Sequence, residues 1–391
     1  MATTRKISLK APVDPEINIE VRESLDYYIT FPDGYNKSKS YGLVFCISGY
    51  GYSAESDYQA NKLRPYISDK YNMITVGVRY HNDLRIDDSD VQISLGTICN
   101  WYGIDSNYFN NVTSSEQIID KIFEILQTRN IFSLDSRLSF KVSAYNKYSS
   151  FGFMPAIDHL NVLFDIIQRY NIDKNNIIAF GTSYGGYIAS LMAKYAPHTF
   201  SLVIDNSGFC VAQLQEVLGG QVGGAGGAIV RYLNNTRYEI PYVANTLWSL
   251  DETSEYYFGD SKKKIRNLLI EDHRTPSSTV YCCYHSEKDT LAPIKLKDDM
   301  YNCLEKYNIT YYKRVKECDV DGRVFKNSSH GMNASLRMLF DTSMEKYKKH
   351  NNKKDDDIDF DRNVVYGFPC ADKLYNFSYS NSGLNVEIDE I

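Results

Sequence analysis

The chain has 391 residues, 43% of them hydrophobic and 24% charged, with a net charge of −6. That balance suffices to bury a large core, in one big domain or one domain with insertions, and offers no strong basic field for a nucleic-acid backbone. No apolar run reaches the length of a membrane span, and Met1 to Pro12 contains no apolar signal-peptide segment. Eight cysteines lie scattered without C-x-x-C spacing, which fits free thiols in a reducing cytosol better than a disulfide framework. The expectation is a cytoplasmic protein.

In chain order, Glu16–Val21 and Asp26–Phe31 read as two opening antiparallel strands, and Leu43–Ser48 as the first long buried strand. Helical periodicity over Asp57–Lys70 gives way to a strand at Met73–Tyr80. Residues from about 82 to 150 break this rhythm; they are polar and hold one good helix, Ser115–Gln127, opened by the capping pattern Ser114-Ser115-Glu116-Gln117. Pro155–Tyr170 is a helix leading into the apolar strand Ile177–Phe180, and Phe200–Asn206 is the next strand. Thr279–His285 and Tyr311–Val315 are later strands, while Lys295–Tyr307 and Gly331–Lys348 are closing helices. This alternation predicts an α/β fold with a mostly parallel central sheet and helices on both faces.

The irregular stretches, about 82–150 and 208–276, read as insertions forming a cap over the carboxyl edge of that sheet, where α/β folds place ligand-binding loops. Residues 1–350 then make one domain with its cap. Residues 351–391 make a charged linker and a tail that packs back, with Val364–Pro369 and Leu374–Tyr379 as a short strand pair. The glycine-rich Gly219–Ala228 is followed by no Lys-Ser/Thr and has no G-x-G-x-x-G register, so it is a hinge or a pocket wall rather than a phosphate cradle. Trp101 and Trp248, with Tyr102, Tyr108, Tyr242 and Tyr256, offer aromatic faces in the insertions for sugar rings or acyl chains. With 33 tyrosines in the chain, core and surface roles are the stronger explanation for most of them. Asp355, Asp356 and Asp357 have no calcium-loop spacing.

The chemistry is concentrated in Gly181-Thr182-Ser183-Tyr184-Gly185-Gly186, where an apolar strand meets a helix-prone run through G-x-S-x-G. Strand, tight turn and helix are the parts of a nucleophile elbow, and Gly181 and Gly185 leave room for the backbone on either side of Ser183. Downstream, the strand Thr279–His285 is followed by Ser286-Glu287-Lys288-Asp289-Thr290-Leu291-Ala292-Pro293, with Asp289 just past its end. After the strand Tyr311–Val315 comes the loop Asn327-Ser328-Ser329-His330-Gly331-Met332. Upstream, Gly42–Gly51 is a strand ending in the glycine-rich turn Ser48-Gly49-Tyr50-Gly51.

These four segments resemble the α/β-hydrolases, in the branch that contains esterases, acyl hydrolases and prolyl-oligopeptidase-type catalytic domains. The resemblance covers roughly residues 25–350 as an ordered series of strands and motifs, and a further similarity to uncharacterised bacterial hydrolase-like proteins rests on no separate motif. The order Ser183, Asp289, His330 is the family's order of nucleophile, acid and base. The family usually has glycine where this chain has Ser286, and many members have His-Gly where this chain has Ser48-Gly49. What the resemblance implies is an oxyanion hole made by the backbone N–H groups of Tyr184 and Tyr50, with Gly51 as the substitute for Tyr50.

Asp205, at the end of the strand after the elbow, ranks second as the acid. His285 reads as structural, because a base must approach from a separate loop; His81, His159, His198, His273 and His350 lack a glycine-flanked loop after the last strand. No cluster has metal-ligand spacing and no cofactor is expected. The implied activity is hydrolysis of a small-molecule acyl ester by a carboxylesterase or O-acyl (O-acetyl) esterase. The alternatives are an acyltransferase with the same triad and a non-catalytic binding protein on this fold.

Overall fold

Val, Ile, Leu and aromatic runs with no polar side form strands only where both faces are covered, and this chain has several. The computed structural model describes residues 1–20, 22–81, 91–112, 114–134, 138–142, 148–222, 228–245, 247–349 and 357–391. Among them the strands in chain order are β1 (Thr3–Lys10), β2 (Ser24–Phe31), β3 (Tyr41–Ile47), β4 (Ile74–Arg79), β5 (Val91–Ser94), β6 (Leu138–Val142), β7 (Ile172–Thr182) and β8 (Leu202–Asn206). They continue as β9 (Ala228–Leu233), β10 (Thr236–Asn245), β11 (Val280–Ser286), β12 (Ile309–Val315), β13 (Val365–Cys370), β14 (Lys373–Ser380) and β15 (Gly383–Glu390). The chain forms two compact units, one of residues 1–84, 152–212 and 260–391 and the other of 85–151 and 213–259.

The first unit is built on a sheet in the order β1-β2-β4-β3-β7-β8-β11-β12. β1 and β2 pair antiparallel, as do β2 and β4, and every later neighbour is parallel. This is the α/β-hydrolase fold anticipated from the sequence. β3, β8 and β11 are buried along their whole length. Ile178 and Phe180 of β7 join Val44, Cys46, Leu202, Ile204, Cys282 and Tyr284 in one core layer, closed by Leu339, Phe340 and Met344 of the helix Leu336–Lys348. The helices Phe153–Arg169 and Tyr184–Tyr195 flank the elbow strand, the second starting directly at its end.

The opening of the chain departs from expectation. Residues 16–20 are not a strand; the partner of β2 is β1, paired from Thr3↔Phe31 to Lys10↔Ser24. The Asp14 carboxylate accepts the Glu16 N–H at 2.8 Å and Asn18 has φ +52°, so this segment turns on itself. Propensity alone favoured the apolar Ile17 and Ile19, but pairing selected the more polar run.

The tail is a three-stranded antiparallel meander, β13-β14-β15, rather than a strand pair. Its inward residues Tyr375, Phe377 and Tyr379 alternate along β14 as period 2 requires. Phe377 stacks on Tyr195 with centroids 4.4 Å apart, and Tyr379 Oη donates to Tyr195 O at 2.9 Å. Asp359 just before it is buried and accepts from the His198 N–H at 3.0 Å, Thr199 Oγ1 at 2.6 Å and Tyr366 Oη at 2.6 Å. Most of the charged linker, residues 351–356, lies outside the described residues.

The second unit carries its own sheet, β5-β6-β10-β9, and the helix Ser115–Thr128. Ser114 caps that helix by accepting the Gln117 N–H at 3.3 Å, and Ile119, Ile122, Phe123 and Leu126 pack with Tyr238 and Ile240. Trp248, considered above as a stacking face, is instead fully buried; its Nε1–H donates to Ser149 O at 2.8 Å and Tyr148 meets its ring edge-on. A large ring with one donor is satisfied by such a site in a core. The side chains of Trp101 and Tyr242 and residues 223–227 of the glycine-rich run lie outside the described residues. Residues 208–212 and 260–276, counted above with the second insertion, belong to the first unit. Among the described residues no helix is long and apolar enough to cross a membrane.

One buried group makes stability pH-dependent. His159 donates Nδ1–H to Pro155 O at 2.6 Å, and its Nε2 is buried with no hydrogen-bond partner among the described residues. Burial pushes its pKa from the usual 6.5 down to about 4. Because the folded value lies below the unfolded one, protons bind preferentially to the unfolded chain. The contribution is complete above about pH 6.5 and is lost as pH falls towards 4, at about 1.4 kcal/mol per pH unit. His159→Phe is expected to flatten that slope, read from urea midpoints at pH 7 and pH 5.

Candidate active site

β7 ends at Thr182, and the next residue takes a backbone conformation that L-amino acids rarely adopt: Ser183 has φ +54° and ψ −123°. The turn is as crowded as the glycines suggest. A Cβ on Gly181 would lie 2.1 Å from the Gly185 carbonyl, and one on Gly185 would lie 2.3 Å from Ile47 O. Both neighbours are backbone and cannot give way. The Ser183 N–H donates to Asn206 O at 2.7 Å, and Tyr184 opens the helix Tyr184–Tyr195. Ser183 therefore stands at the carboxyl end of the sheet with the positive end of a helix dipole beneath it.

The structure brings Ser183, His330 and Asp289 into one relay. Ser183 Oγ lies 2.7 Å from His330 Nε2, and His330 Nδ1 lies 2.7 Å from Asp289 Oδ2. Asp289 Oδ1 accepts the N–H groups of Leu291 at 3.0 Å and Ala292 at 2.9 Å, which leaves Oδ2 for the imidazole. A carboxylate on Nδ1 selects the tautomer in which Nδ1–H donates to Asp289 and Nε2 accepts from the serine hydroxyl. Burial pushes the Asp289 carboxyl up, but hydrogen bonds from His330 and the Ala292 amide outweigh it and hold the carboxyl below its usual value. The acid is ionised at neutral pH.

Asp205, the second-ranked acid, serves a different partner. Its Oδ2 lies 2.6 Å from Lys297 Nζ and its Oδ1 accepts the Gly208 N–H at 2.7 Å, with both charged side chains buried. Burial works against the charge on Lys297, but the Asp205 carboxylate more than offsets this and holds its pKa above the usual value. The pair lies behind the elbow helix, where a Cβ on Gly186 would come within 2.3 Å of Asp205 Oδ1. His285 is also buried; its Nε2–H donates to Ala292 O at 2.7 Å, and burial lowers its pKa, so it is neutral. His81, His159 and His273 are buried away from the relay, and His350 lies outside the described residues.

The loop after β3 lies against Ser183. A Cβ on Gly49 would sit 3.2 Å from Thr182 O and 3.5 Å from Ser183 Cβ. The Tyr52 N–H donates to Gly49 O at 3.1 Å and Gly51 has φ +75°, a turn whose third position requires glycine. The Gly49–Tyr50 peptide is trans, so the Tyr50 N–H points opposite to the Gly49 carbonyl engaged in the turn. Tyr80 Oη steadies the loop by donating to Ser48 O at 3.1 Å, and the Tyr50 and Tyr184 rings meet edge-on at 5.5 Å.

Several residues that sequence reasoning passed over hold the histidine loop. Ser286 Oγ donates to Ser328 O at 2.5 Å, and Ser328 Oγ donates to Glu317 Oε2 at 2.8 Å. Ser207 Oγ accepts the Gly331 N–H at 3.2 Å, Asn206 Nδ2 donates to Gly331 O at 3.4 Å, and Phe209 stacks on the imidazole at 5.8 Å. Only Ser286 had a signal in the sequence, as a serine where the family resemblance expects glycine.

Among the described residues no group of three or more His, Cys, Asp or Glu side chains is placed to hold a metal ion. Solved structures similar to this chain include a thermostable esterase at 15% identity and TM-score 0.43, covering 88% of this chain and 62% of that one. They also include the S-formylglutathione hydrolase of Agrobacterium tumefaciens at 13% identity and TM-score 0.44, covering 90% and 96%. A third is the acylaminoacyl peptidase of Pyrococcus horikoshii at 14% identity and TM-score 0.45, covering 90% of this chain and 42% of the peptidase. This chain thus spans less than two thirds of the thermostable esterase and of the peptidase. No curated protein matches the sequence. By a family model matching residues 8–388, the chain belongs to the family described as "Protein of unknown function (DUF2920)".

Proposed function

We propose that the protein is a serine hydrolase that cleaves an acyl ester, a carboxylesterase or O-acyl (O-acetyl) esterase acting on a small or sugar-linked substrate. The observation that carries this reading is the pair of 2.7 Å contacts joining Ser183 Oγ through His330 to Asp289, with the serine on a strained elbow. A hydroxyl is a weak nucleophile at neutral pH and needs an adjacent base. Ser183 Oγ attacks the acyl carbon while its proton passes to His330 Nε2, and Asp289 stabilises the imidazolium. The backbone N–H groups of Tyr184 and Tyr50 hold the tetrahedral oxyanion, worth about 3–4 kcal/mol per donor. Collapse expels the alcohol, which leaves with the proton from His330. Water then attacks the acyl-enzyme, His330 takes its proton and returns it to Ser183, and the carboxylic acid departs.

Labelling with a fluorophosphonate probe, read by intact mass and peptide mapping, tests the reading. The expected result is one adduct on Ser183, with fluoride displaced, together with hydrolysis of p-nitrophenyl acetate and none of alanine p-nitroanilide. Folded protein that takes up no probe and releases no p-nitrophenol would overturn it.

A further inference from the structure

Ser207 is the residue after β8, fully buried, with φ +58°. In that left-handed region glycine is the unstrained choice and a residue with a Cβ is not. Its backbone N–H is already engaged, donating to Tyr284 O at 3.0 Å. What serine adds over glycine here is one hydroxyl, and that hydroxyl accepts the Gly331 N–H at 3.2 Å. This N–H belongs to the peptide that joins His330 to Gly331, its nitrogen two bonds from the Cα that carries the imidazole.

The loop around His330 needs holding. Gly331, Met332 and Asn333 follow one another at φ +71°, +55° and +41°, a run of left-handed residues with little intrinsic preference for that path. Met332, itself fully buried, anchors the far side of the run in the core layer under the sheet. On the near side the clamp comes from the end of β8. Asn206 Nδ2 donates to Gly331 O at 3.4 Å and to Thr182 Oγ1 at 2.9 Å, next to the nucleophile, while Ser207 takes the Gly331 N–H. The root of the base is thereby referenced to the strand beside the elbow.

We infer that Ser207 is a positioning residue for His330, retained in a strained conformation because its hydroxyl fixes the imidazole between Ser183 and Asp289. The inference rests on the serine-hydrolase reading above. Strain persists in a fold where the surroundings over-determine it, and such positions cluster at working sites. A serine whose hydroxyl made no bond would be improved by glycine at this φ. A positioning serine would not, because a small displacement of a catalytic group carries a large cost in rate.

The experiment is hydrolysis of p-nitrophenyl acetate by wild type, Ser183→Ala, Ser207→Gly, Ser207→Ala and Ser207→Thr, with thermal midpoints measured for each. Ser207→Gly should lose about 10- to 100-fold in kcat, with a much smaller change in KM, while its midpoint stays close to wild type, the relieved strain offsetting the lost hydrogen bond. Ser207→Ala, which keeps the Cβ and lacks only the hydroxyl, should fall by a similar factor. Ser207→Thr, which keeps the hydroxyl at a worse strain, should melt lower and retain most of the rate. Rate would then follow the hydroxyl and stability would follow the strain. Wild-type kcat in Ser207→Gly or Ser207→Ala overturns the inference, as does a rate loss matched by a lowered midpoint in Ser207→Gly. If wild type shows no Ser183-dependent turnover, the hydrolase reading falls and takes this inference with it; Ser183-dependent turnover with an unimpaired Ser207→Gly removes only the inference.

Discussion

Replacing Ser183 by alanine is expected to cut ester turnover by roughly a millionfold, the scale of loss when an activated serine is removed from a triad. The probe adduct should vanish with it. The elbow geometry predicts that the fold survives, since alanine has less to place than serine at φ +54° and, among the described residues, Ser183 Oγ reaches only His330 Nε2 at 2.7 Å. His330→Ala should be nearly as severe, because the hydroxyl then has no base. Asp289→Asn should cost about 10⁴-fold by selecting the wrong imidazole tautomer while leaving the geometry intact. The three effects act on one unit, so the triple variant should be little slower than Ser183→Ala alone. Initial rates with p-nitrophenyl acetate across the series check this. Near-wild-type turnover in Asp289→Asn would instead point to another carboxylate, and Asp205 is bound to Lys297 at 2.6 Å.

Arg266→Met is expected to destabilise the fold by about 3–5 kcal/mol, the cost of leaving one member of a buried ion pair without its partner. Arg266 and Glu16 are both fully buried, and the guanidinium meets the carboxylate with two bonds, Nη1 to Oε1 at 2.8 Å and Nη2 to Oε2 at 2.5 Å. Tyr375 Oη of β14 donates to the same carboxylate at 2.9 Å, and Arg266 lies over the Phe153 ring at 5.0 Å. Burial works against the charge on Arg266, but Glu16 raises its pKa above the usual value, so the pair is ionised. Three parts distant in sequence are pinned at this point: the turn after β1, the segment after the helix Asp260–Ile265, and the C-terminal meander. Methionine would leave the buried Glu16 carboxylate with the Tyr375 hydroxyl but without its guanidinium. The double variant Glu16→Met, Arg266→Met should recover much of the loss, since an apolar pair of similar volume removes both desolvation costs. Urea midpoints of the two variants decide it; a double variant no more stable than the single one would show that the site needs its charges.

The elbow and the strands that carry it were legible because their signals are local. G-x-S-x-G between an apolar strand and a helix-prone run reflects steric limits within six residues, and the structure shows those limits as Cβ distances near 2 Å at Gly181 and Gly185. β3, β8 and β11 were readable as runs buried on both faces, and Ser114 as a cap whose hydroxyl meets the Gln117 N–H. Where competing segments had to be compared, sequence misled. Residues 16–20 looked more strand-like than 3–10, yet an Asx turn at Asp14 folds the former back and leaves the edge of β2 to the latter. Trp248, for which the sequence allowed a stacking role but favoured a core or surface one, is a core residue whose N–H meets a backbone carbonyl 99 positions away.

The order of strands, the turn that raises Ser183 and the residue types placed around it are written in short windows of the chain, where sterics and hydrophobic period act between neighbours. Which carboxylate faces His330, and which is taken by Lys297, depends on distances between residues 41 and more positions apart. So do the clamps of Ser207 and Ser286 on the histidine loop, the burial of Glu16 against Arg266, and the seating of the C-terminal meander on Tyr195. Hydrogen bonds and ion pairs reach only about 3 Å and carry no periodicity along the chain, so packing alone decides which of many possible partners each polar group meets.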